Sequence, residues 1–319
     1  MRYYSREDIE KCVCMTDVIE SVKQAFSMME KGQINTPLRT IIPTHNGSLL
    51  FMPAYSATLG MAVLKNVNVF PGNASLGRFT TPAEILLIDA ETGYVLAMMD
   101  GTYVTQLRTG AASGAAFDVL GRKDCRKGAL IGTGGQAEAQ LDAMLAARNV
   151  KEVSIYSLHR DKCTAFTEKA RAKYAGRNIH FSCANSSDEC IEDADLIITA
   201  TTSATPVFDG TLVKKGATIS CVGTYEPDKH EVDSTLIVRA DKIICDSKEA
   251  ALRESGDLLI PIRQEMITED DICGGLGEVI NGTLHGREDE NEIIVFETVG
   301  VAAQDLLTSV MINQKMCGK

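Results

Sequence analysis

The sequence has no basic block, no long apolar run and no paired cysteines, and each absence removes a class of function. Its 319 residues carry 32 Lys and Arg against 43 Asp and Glu, a net charge of -11. Without clustered cations or Arg-aromatic interleaving, the chain lacks the electrostatic footprint of a nucleic-acid partner. No apolar run approaches the ~20 residues that span a bilayer, and the N-terminal "MRYYSREDIEKCVCMTDVIESV" enters amphipathic helix directly. A cytoplasmic protein with no membrane partner is therefore expected. The ten cysteines are scattered without CxxC spacing, several in apolar runs such as "HFSCAN" and "IICDS", and read as reduced, buried thiols. The five histidines fall outside metal-ligand spacing, so no metal is expected.

What is present is a 45% hydrophobic content, and a length beyond the roughly 250 to 300 residues at which single cores stop growing predicts two domains. Residues 5–31 read as helix: Ser5 and Asp8 make a capping box, Thr16 can cap a second segment, and Gly32 stops it. "PLRTIIP", "SLLFMPAYS", "MAVLKNVNVF", "AEILLID" and "YVLAMMD" are short β-prone runs, with "DAETGY" as a hairpin connection, and predict an antiparallel meander. Residues 102–120 turn helical with small residues on one face, and Gly121 ends the helix. Beyond residue 128, apolar runs alternate with helical segments, the pattern of a parallel sheet covered on both faces. The closing "NEIIVFETVGVAAQDLLTSVMINQ" supplies a strand and a long helix able to complete either domain. The fold class is α/β, a Rossmann-like doubly wound parallel-sheet domain with an antiparallel α+β domain beside it.

"ALIGTGGQAEAQLDAML" (129–145) places Gly132, Gly134 and Ala137 as a GxGxxA variant between a strand and a helix. Gly132 permits the tight turn and Gly134 the close backbone approach, so amides at the start of the helix after Gln136 can face a pyrophosphate. An acid about 20 residues on would hold a ribose 2'-hydroxyl. Here the second strand, "VSIYSLHRDK", ends in Ser157, with His159 and Arg160 beyond. An Asp would repel a 2'-phosphate, whereas Ser157 can hydrogen-bond one and Arg160 can pair with it. NADP(H) is favoured, with NAD(H) as the alternative.

A hydride enzyme for a small amino or imino acid needs cationic anchors and a proton source. Arg39, mid-strand in "TPLRTII", and Lys65, mid-strand in "MAVLKNVNVF", are charges inside apolar runs. Singly such charges belong on a wet face; together with Arg108 in "TQLRTGAASGAA" they form a candidate set.

"GMAVLKNVNVFPGN", "QLRTGAASGAA", "IGTGGQAEAQ", "ESGDL" and "LGEVINGTLHGREDENEIIVFETVGVAAQDL" together resemble the ornithine cyclodeaminase and mu-crystallin family over nearly the whole chain. The resemblance implies a homodimer closed through the antiparallel halves, with residues 1–112 and 298–319 as the discontinuous substrate and dimerisation domain and 113–297 as the dinucleotide domain. It implies an active site between the two. It also implies that Arg39, Lys65 and Arg108 surround the substrate carboxylate, Arg108 close to the cofactor as well. Thr80, Thr109, Gly135, Gln136, Ser157, Val222 and Thr298 match cofactor contacts, while Gly223 and Val299 lie beside the substrate.

One position departs from the cyclodeaminases, whose loop reads like "VGGDCPGK" with Asp as the acid-base group. Here it is "VGTYEPDKHEVD", with Tyr225 at that place. Glu226 and Asp228 are near in sequence, but a shift of one to three residues carries a carboxylate too far for direct proton transfer over ~3 Å. The loop looks more like that of mu-crystallin and the imine reductases. Net reduction of a preformed imine needs no such base, only anchors and an acid, and Lys65 is the candidate acid, its pKa lowered by desolvation and neighbouring Arg charges. Tyr225 has a supporting role, and His230, Glu231 and Cys221 read as structural. The expected activity is NAD(P)H-dependent reduction of small cyclic imino acids or ketimines such as pyrroline-2-carboxylate, with amino acid dehydrogenation as the reverse sense. The alternatives are an ornithine cyclodeaminase, converting L-ornithine to L-proline and ammonia, and a mu-crystallin-like NADPH-dependent binding protein. Retention of Lys65 and Arg108 argues against the last.

Overall fold

The computed structural model describes residues 1–223 and 226–318. The chain divides into two compact units, Met1–Ala111 with Gly300–Lys319, and Ala112–Val299.

The first unit runs β1 (Arg2–Tyr4), α1 (Arg6–Cys12), α2 (Met15–Glu30), β2 (Thr40–Pro43), β3 (Ser48–Ser56), β4 (Met61–Val69), β5 (Ala83–Asp89) and β6 (Val95–Asp100). The division falls inside α3 (Gly101–Leu120), and the unit is completed by the C-terminal helix Ala302–Met316. Ser5 caps α1, its Oγ accepting from the Asp8 amide at 3.3 Å while the Asp8 carboxylate accepts from the Ser5 amide at 3.1 Å. Thr16 does not start the second helix. Cys14 is its N-cap, and the Asp17 carboxylate accepts from the Cys14 amide at 3.1 Å, supplying the cap that sequence reasoning gave to Thr16.

Strands β2 to β6 form the expected antiparallel meander. The sheet is nonetheless mixed, because β1 joins its edge parallel to β6, with Arg2 opposite Ala97. Three residues are too few to show alternation, so the sequence carries little sign of this strand. Along β4, Val63, Lys65 and Val67 face the core, as the period of two requires. The register sets Lys65 between Met52 and Ile85, with Ile85 opposite Met99 and Met99 opposite Tyr4. Lys65 is the one charge in that buried row. The C-terminal helix packs on β3, β4, β5 and α2 and is buried on every side from residue 302 to 309, as an apolar helix in a core should be.

The second unit contains β7 (Lys127–Ile131), α4 (Ala137–Ala147), β8 (Glu152–Tyr156), α5 (Arg160–Lys173), β9 (His180–Cys183), β10 (Leu196–Thr199), β11 (Thr218–Cys221), β12 (Lys242–Cys245), β13 (Ile272–Gly275) and β14 (Ile294–Glu297), with shorter helices between. All eight strands are parallel, in the order β13-β12-β14-β11-β10-β7-β8-β9. Ala129 and Ile131 enter one apolar cluster and Leu130 the other, so the sheet is covered on both faces. The expectation that all cysteines are reduced is corrected at one pair. Cys163 and Cys183 are joined as a disulfide with Cα atoms 6.1 Å apart. They lie 20 residues apart and meet because α5 packs on β9, which cysteine spacing cannot reveal. The other eight are free.

Candidate functional site

The first unit collects three of the predicted cations. Lys65, fully buried, stands 2.7 Å from Asp305 Oδ2, itself fully buried on the C-terminal helix. Arg108 Nε lies 3.2 Å from the other oxygen of the same carboxylate, and Arg108 Nη1 donates to Gln304 Oε1 at 2.8 Å. Arg39 is not mid-strand; it immediately precedes β2, where Nη2 donates to the Gly300 carbonyl at 2.7 Å. Gly300 has φ +81°, and a Cβ there would stand 2.6 Å from Arg108 Nη1, so only glycine admits the guanidinium so close. Of the first unit's two threonines expected at the cofactor, Thr109 is buried beside Arg108 on α3, while Thr80 is exposed ahead of β5, its carbonyl accepting from the Phe70 amide.

Burial and the Arg108 charge lower Lys65 to about 7, with Arg39 acting in the same sense and Asp305 opposing them. One carboxylate thus serves two cations, with the Arg39 charge nearby, leaving positive charge suited to a second, exogenous carboxylate and an ammonium able to exchange its proton near neutral pH. Sequence reasoning missed Asp305. Its only signal was a lone carboxylate in the apolar turn "VAAQDLL".

In the second unit the glycine turn follows β7, where the strand order reverses between β8 and β10, the place at which such sheets bind nucleotides. Gly132 takes φ +106°, its amide donates to the Tyr156 carbonyl at 2.9 Å, and a Cβ on it would meet Ala200 O at 2.3 Å. Gly134 and Gly135 are exposed, and a Cβ at Gly134 would meet no atom within 4 Å. Gln136 is the N-cap of α4 without a side-chain cap bond, and its buried Oε1 has no hydrogen-bond partner among the described residues. An open notch at a helix N-terminus with spare polar groups fits a dinucleotide pyrophosphate.

The remaining predicted contacts follow strand ends on the same edge of this sheet. The Val222 amide donates to the Thr199 carbonyl at 3.1 Å, and Gly223 comes next after β11. Thr298 follows β14, donating from Oγ1 to Asp246 Oδ2 at 2.7 Å, and Val299 beside it is buried. Ser157 is half-buried just past β8, with His159 exposed at the N-cap of α5. Arg160 Nη1 donates to the carbonyls of Cys183 at 3.2 Å and Ala184 at 2.6 Å, so this guanidinium is partly held by backbone. Tyr225 lies outside the described residues. Of its neighbours, Glu226 pairs with Lys229 at 2.7 Å, and Asp228, 84% exposed, pairs with Arg263 at 2.7 Å.

Residues 2–319 match the ornithine cyclodeaminase/mu-crystallin family. The chain belongs to that family. Among family relatives, a Δ1-pyrroline-2-carboxylate reductase of Bacillus cereus is 36% identical over 317 residues, covering 99% of this chain and 96% of its own. The structure of Thermococcus litoralis Δ1-pyrroline-2-carboxylate reductase in complex with NADH and L-proline superposes with a TM-score of 0.96 at 38% identity, covering 100% and 98% of the two chains. An archaeal alanine dehydrogenase dimer with bound NAD gives 0.92 at 31% identity, covering 100% and 96%. The α/β class with its parallel nucleotide-binding sheet is common to these family members. No helix among the described residues is long and apolar enough to cross a membrane.

Proposed function

We propose that this chain is an NAD(P)H-dependent reductase of small cyclic imino acids or ketimines, with Δ1-pyrroline-2-carboxylate as the representative substrate. The observation that carries the reading is the buried cluster in which Lys65 and Arg108 share the single carboxylate of Asp305, with the Arg39 charge close enough to act on Lys65. Arg39 and Arg108 hold the substrate carboxylate, their fixed guanidinium planes suiting two-point contact. Lys65 keeps the imine nitrogen protonated from Nζ, and a group poised near pH 7 does so without remaining locked in either protonation state. Gly132, Gly134, Gly135, Gln136, Val222 and Thr298 hold the dinucleotide, and when bound the nicotinamide supplies the hydride; Thr80, Thr109 and Arg108 are further candidate cofactor contacts. Gly223 and Val299 border the substrate.

The surface pairing of Glu226 and Asp228 supports reduction over cyclodeamination, since neither carboxylate is held for proton transfer. Ser157, in place of an acid, favours NADPH over NADH, with His159 and Arg160 beside it. The similarity to an alanine dehydrogenase dimer, and the exposed Ile41 and Ile42 on edge strand β2, support a homodimer formed through the first unit's sheet. Eight free thiols against one disulfide support a cytoplasmic location.

One assay decides among the activities. Purified protein is given NADPH with pyrroline-2-carboxylate, or ornithine with catalytic NAD, while cofactor absorbance, ammonia and proline are followed. Stoichiometric cofactor consumption with the imine is expected. Ammonia and proline without net cofactor change would overturn the reductase in favour of a cyclodeaminase; silence with tight cofactor binding would favour a binding protein.

A further inference from the structure

The second unit contains a buried carboxylate that the reading above does not use. Glu231 is fully buried, and both its oxygens are engaged: Oε1 accepts from the Thr201 amide at 2.6 Å and Oε2 from the Gly223 amide at 2.5 Å. Thr201 follows β10 and Gly223 follows β11, and these strands are neighbours in the sheet. A single side chain therefore ties together the two segments that leave the sheet beside the strand-order reversal. The fit is close, since a Cβ on Gly223 would stand 2.0 Å from Glu231 Oε2 and 2.4 Å from Thr201 O. Glycine is needed at 223 for the carboxylate to reach its amide.

Glu231 is itself held from behind. Its carbonyl accepts from the Val207 amide at 2.8 Å, and Asp257 Oδ1 accepts from the amides of Glu231 at 2.7 Å and Val232 at 2.9 Å. Burial pushes Glu231 up to about 7 against the opposing hydrogen bonds from Thr201 and Gly223; burial and then the Glu231 charge push Asp257 to about 8, and burial with the Asp257 charge holds Glu297 well above its ordinary range. Packing alone does not call for this. A neutral carbonyl or amide side chain can satisfy a loop amide, whereas like-charged buried acids are costly and concentrate where function requires a fixed geometry.

We infer that Glu231 is a positioning residue for imine reduction, clamping the Gly223 and Thr201 amides so that the Val222–Gly223 segment presents a rigid surface to substrate and nicotinamide. The inference rests on the reductase reading. Glu231 touches neither reactant; it acts through the backbone it holds.

The test exploits the number of acceptor oxygens. Glu231→Gln replaces a titrating carboxyl by an amide and removes one acceptor, turning an NH2 group toward one of the two amides. Asp257→Asn makes the same carboxyl-to-amide change but removes no acceptor, because Asp257 uses one oxygen for both of its amides. With pyrroline-2-carboxylate and NADPH, Glu231→Gln is expected to lower kcat by about 30- to 100-fold, the cost of a small misplacement. Its NADPH Kd, read by nicotinamide fluorescence, should stay within about threefold because the pyrophosphate turn at Gly132–Gln136 is a different loop. Amide exchange at Gly223 or Thr201 should accelerate on the order of tenfold. Asp257→Asn should keep kcat within about threefold. If Glu231→Gln fails to fold, Glu231→Asp, which withdraws the carboxylate by one methylene from both amides, should show the same split.

Equal losses in the two carboxyl-to-amide variants, an unchanged kcat in Glu231→Gln, or a loss of kcat matched by the loss of cofactor binding would overturn the clamp. A wild-type protein inactive on the imine overturns the reductase reading and the inference with it. An active wild type beside an indifferent Glu231→Gln overturns the inference alone.

Discussion

In the first unit the buried charges carry both signs: Lys65 and Arg108 meet across Asp305, with Arg39 nearby. In the second unit Glu231, Asp257 and Glu297 are all acids, accepting from backbone amides or from the Ser255 hydroxyl. The first arrangement has a surplus of positive charge and a group that titrates near neutrality, so it can accept an anionic guest and exchange a proton with it. The second has nothing to offer an anion, but its acceptors fix the path of the chain. Burying charge serves reactivity in one unit and geometry in the other.

The strongest way to break that contrast is to remove the titrating group. Lys65→Ala should lower kcat by about 10²- to 10⁴-fold, the range for a general acid, while NADPH Kd measured by fluorescence stays near wild type. A near-wild-type rate would remove Lys65 from the mechanism. The next effect is on stability. Asp305→Ala strands two buried cations and should cost about 3 to 5 kcal/mol in urea unfolding, whereas an exposed pair such as Arg263 with Asp228 should give less than about 1 kcal/mol.

Proton linkage separates the units by sign. As an acid, Lys65 must be protonated, so kcat/KM should fall as pH rises past about 7, the slope of the logarithm approaching -1. Its folded value lies below the ordinary 10.5, so the unfolded chain binds more protons between about 7 and 10.5, and there the Lys65 contribution to stability rises with pH. Glu231 and Asp257 behave in the opposite sense. Their folded values of about 7 and about 8 exceed the ordinary 4.5 and 3.8, so stability present at low pH is lost as pH rises toward 8. Melting temperature against pH should show both slopes: Glu231→Gln flattens the loss between about pH 5 and 8, and Lys65→Met flattens the gain above about 7. The smallest change tests the cofactor. Ser157→Asp should shift the ratio of NADPH to NADH kcat/KM toward NADH by about tenfold, and a ratio unmoved by the substitution would exclude residue 157 from 2'-phosphate recognition.

Much of the second unit was legible because parallel strands buried on both faces write themselves as continuous apolar runs, and the glycine turn has a fixed relation to the strand before it. The first unit was legible as strands, and Lys65 as a charge interrupting an alternating run. Its environment was not legible. Asp305 and Lys65 share no local pattern, and their pairing depends on a helix returning to the sheet from the far end of the sequence. The same limit hid Glu231, whose partners Thr201, Gly223 and Asp257 come from three separate segments. β1 escaped through brevity, and β13, with two glycines in four residues, showed too little periodicity to register.

The return of the C-terminal helix also has a consequence for synthesis. Arg108 leaves the ribosome 196 residues before Gln304, and Arg39 leaves 261 residues before Gly300, whose carbonyl it will hold. Throughout that interval the face of β4 carrying Lys65 has neither its counter-ion nor the helix that covers it. The same interval delivers the whole of the second unit, whose strands all fall between Lys127 and Glu297. The unit begun second can therefore fold first, and until the C-terminal helix is made the nascent sheet leaves an apolar face with an unpaired lysine open to other chains.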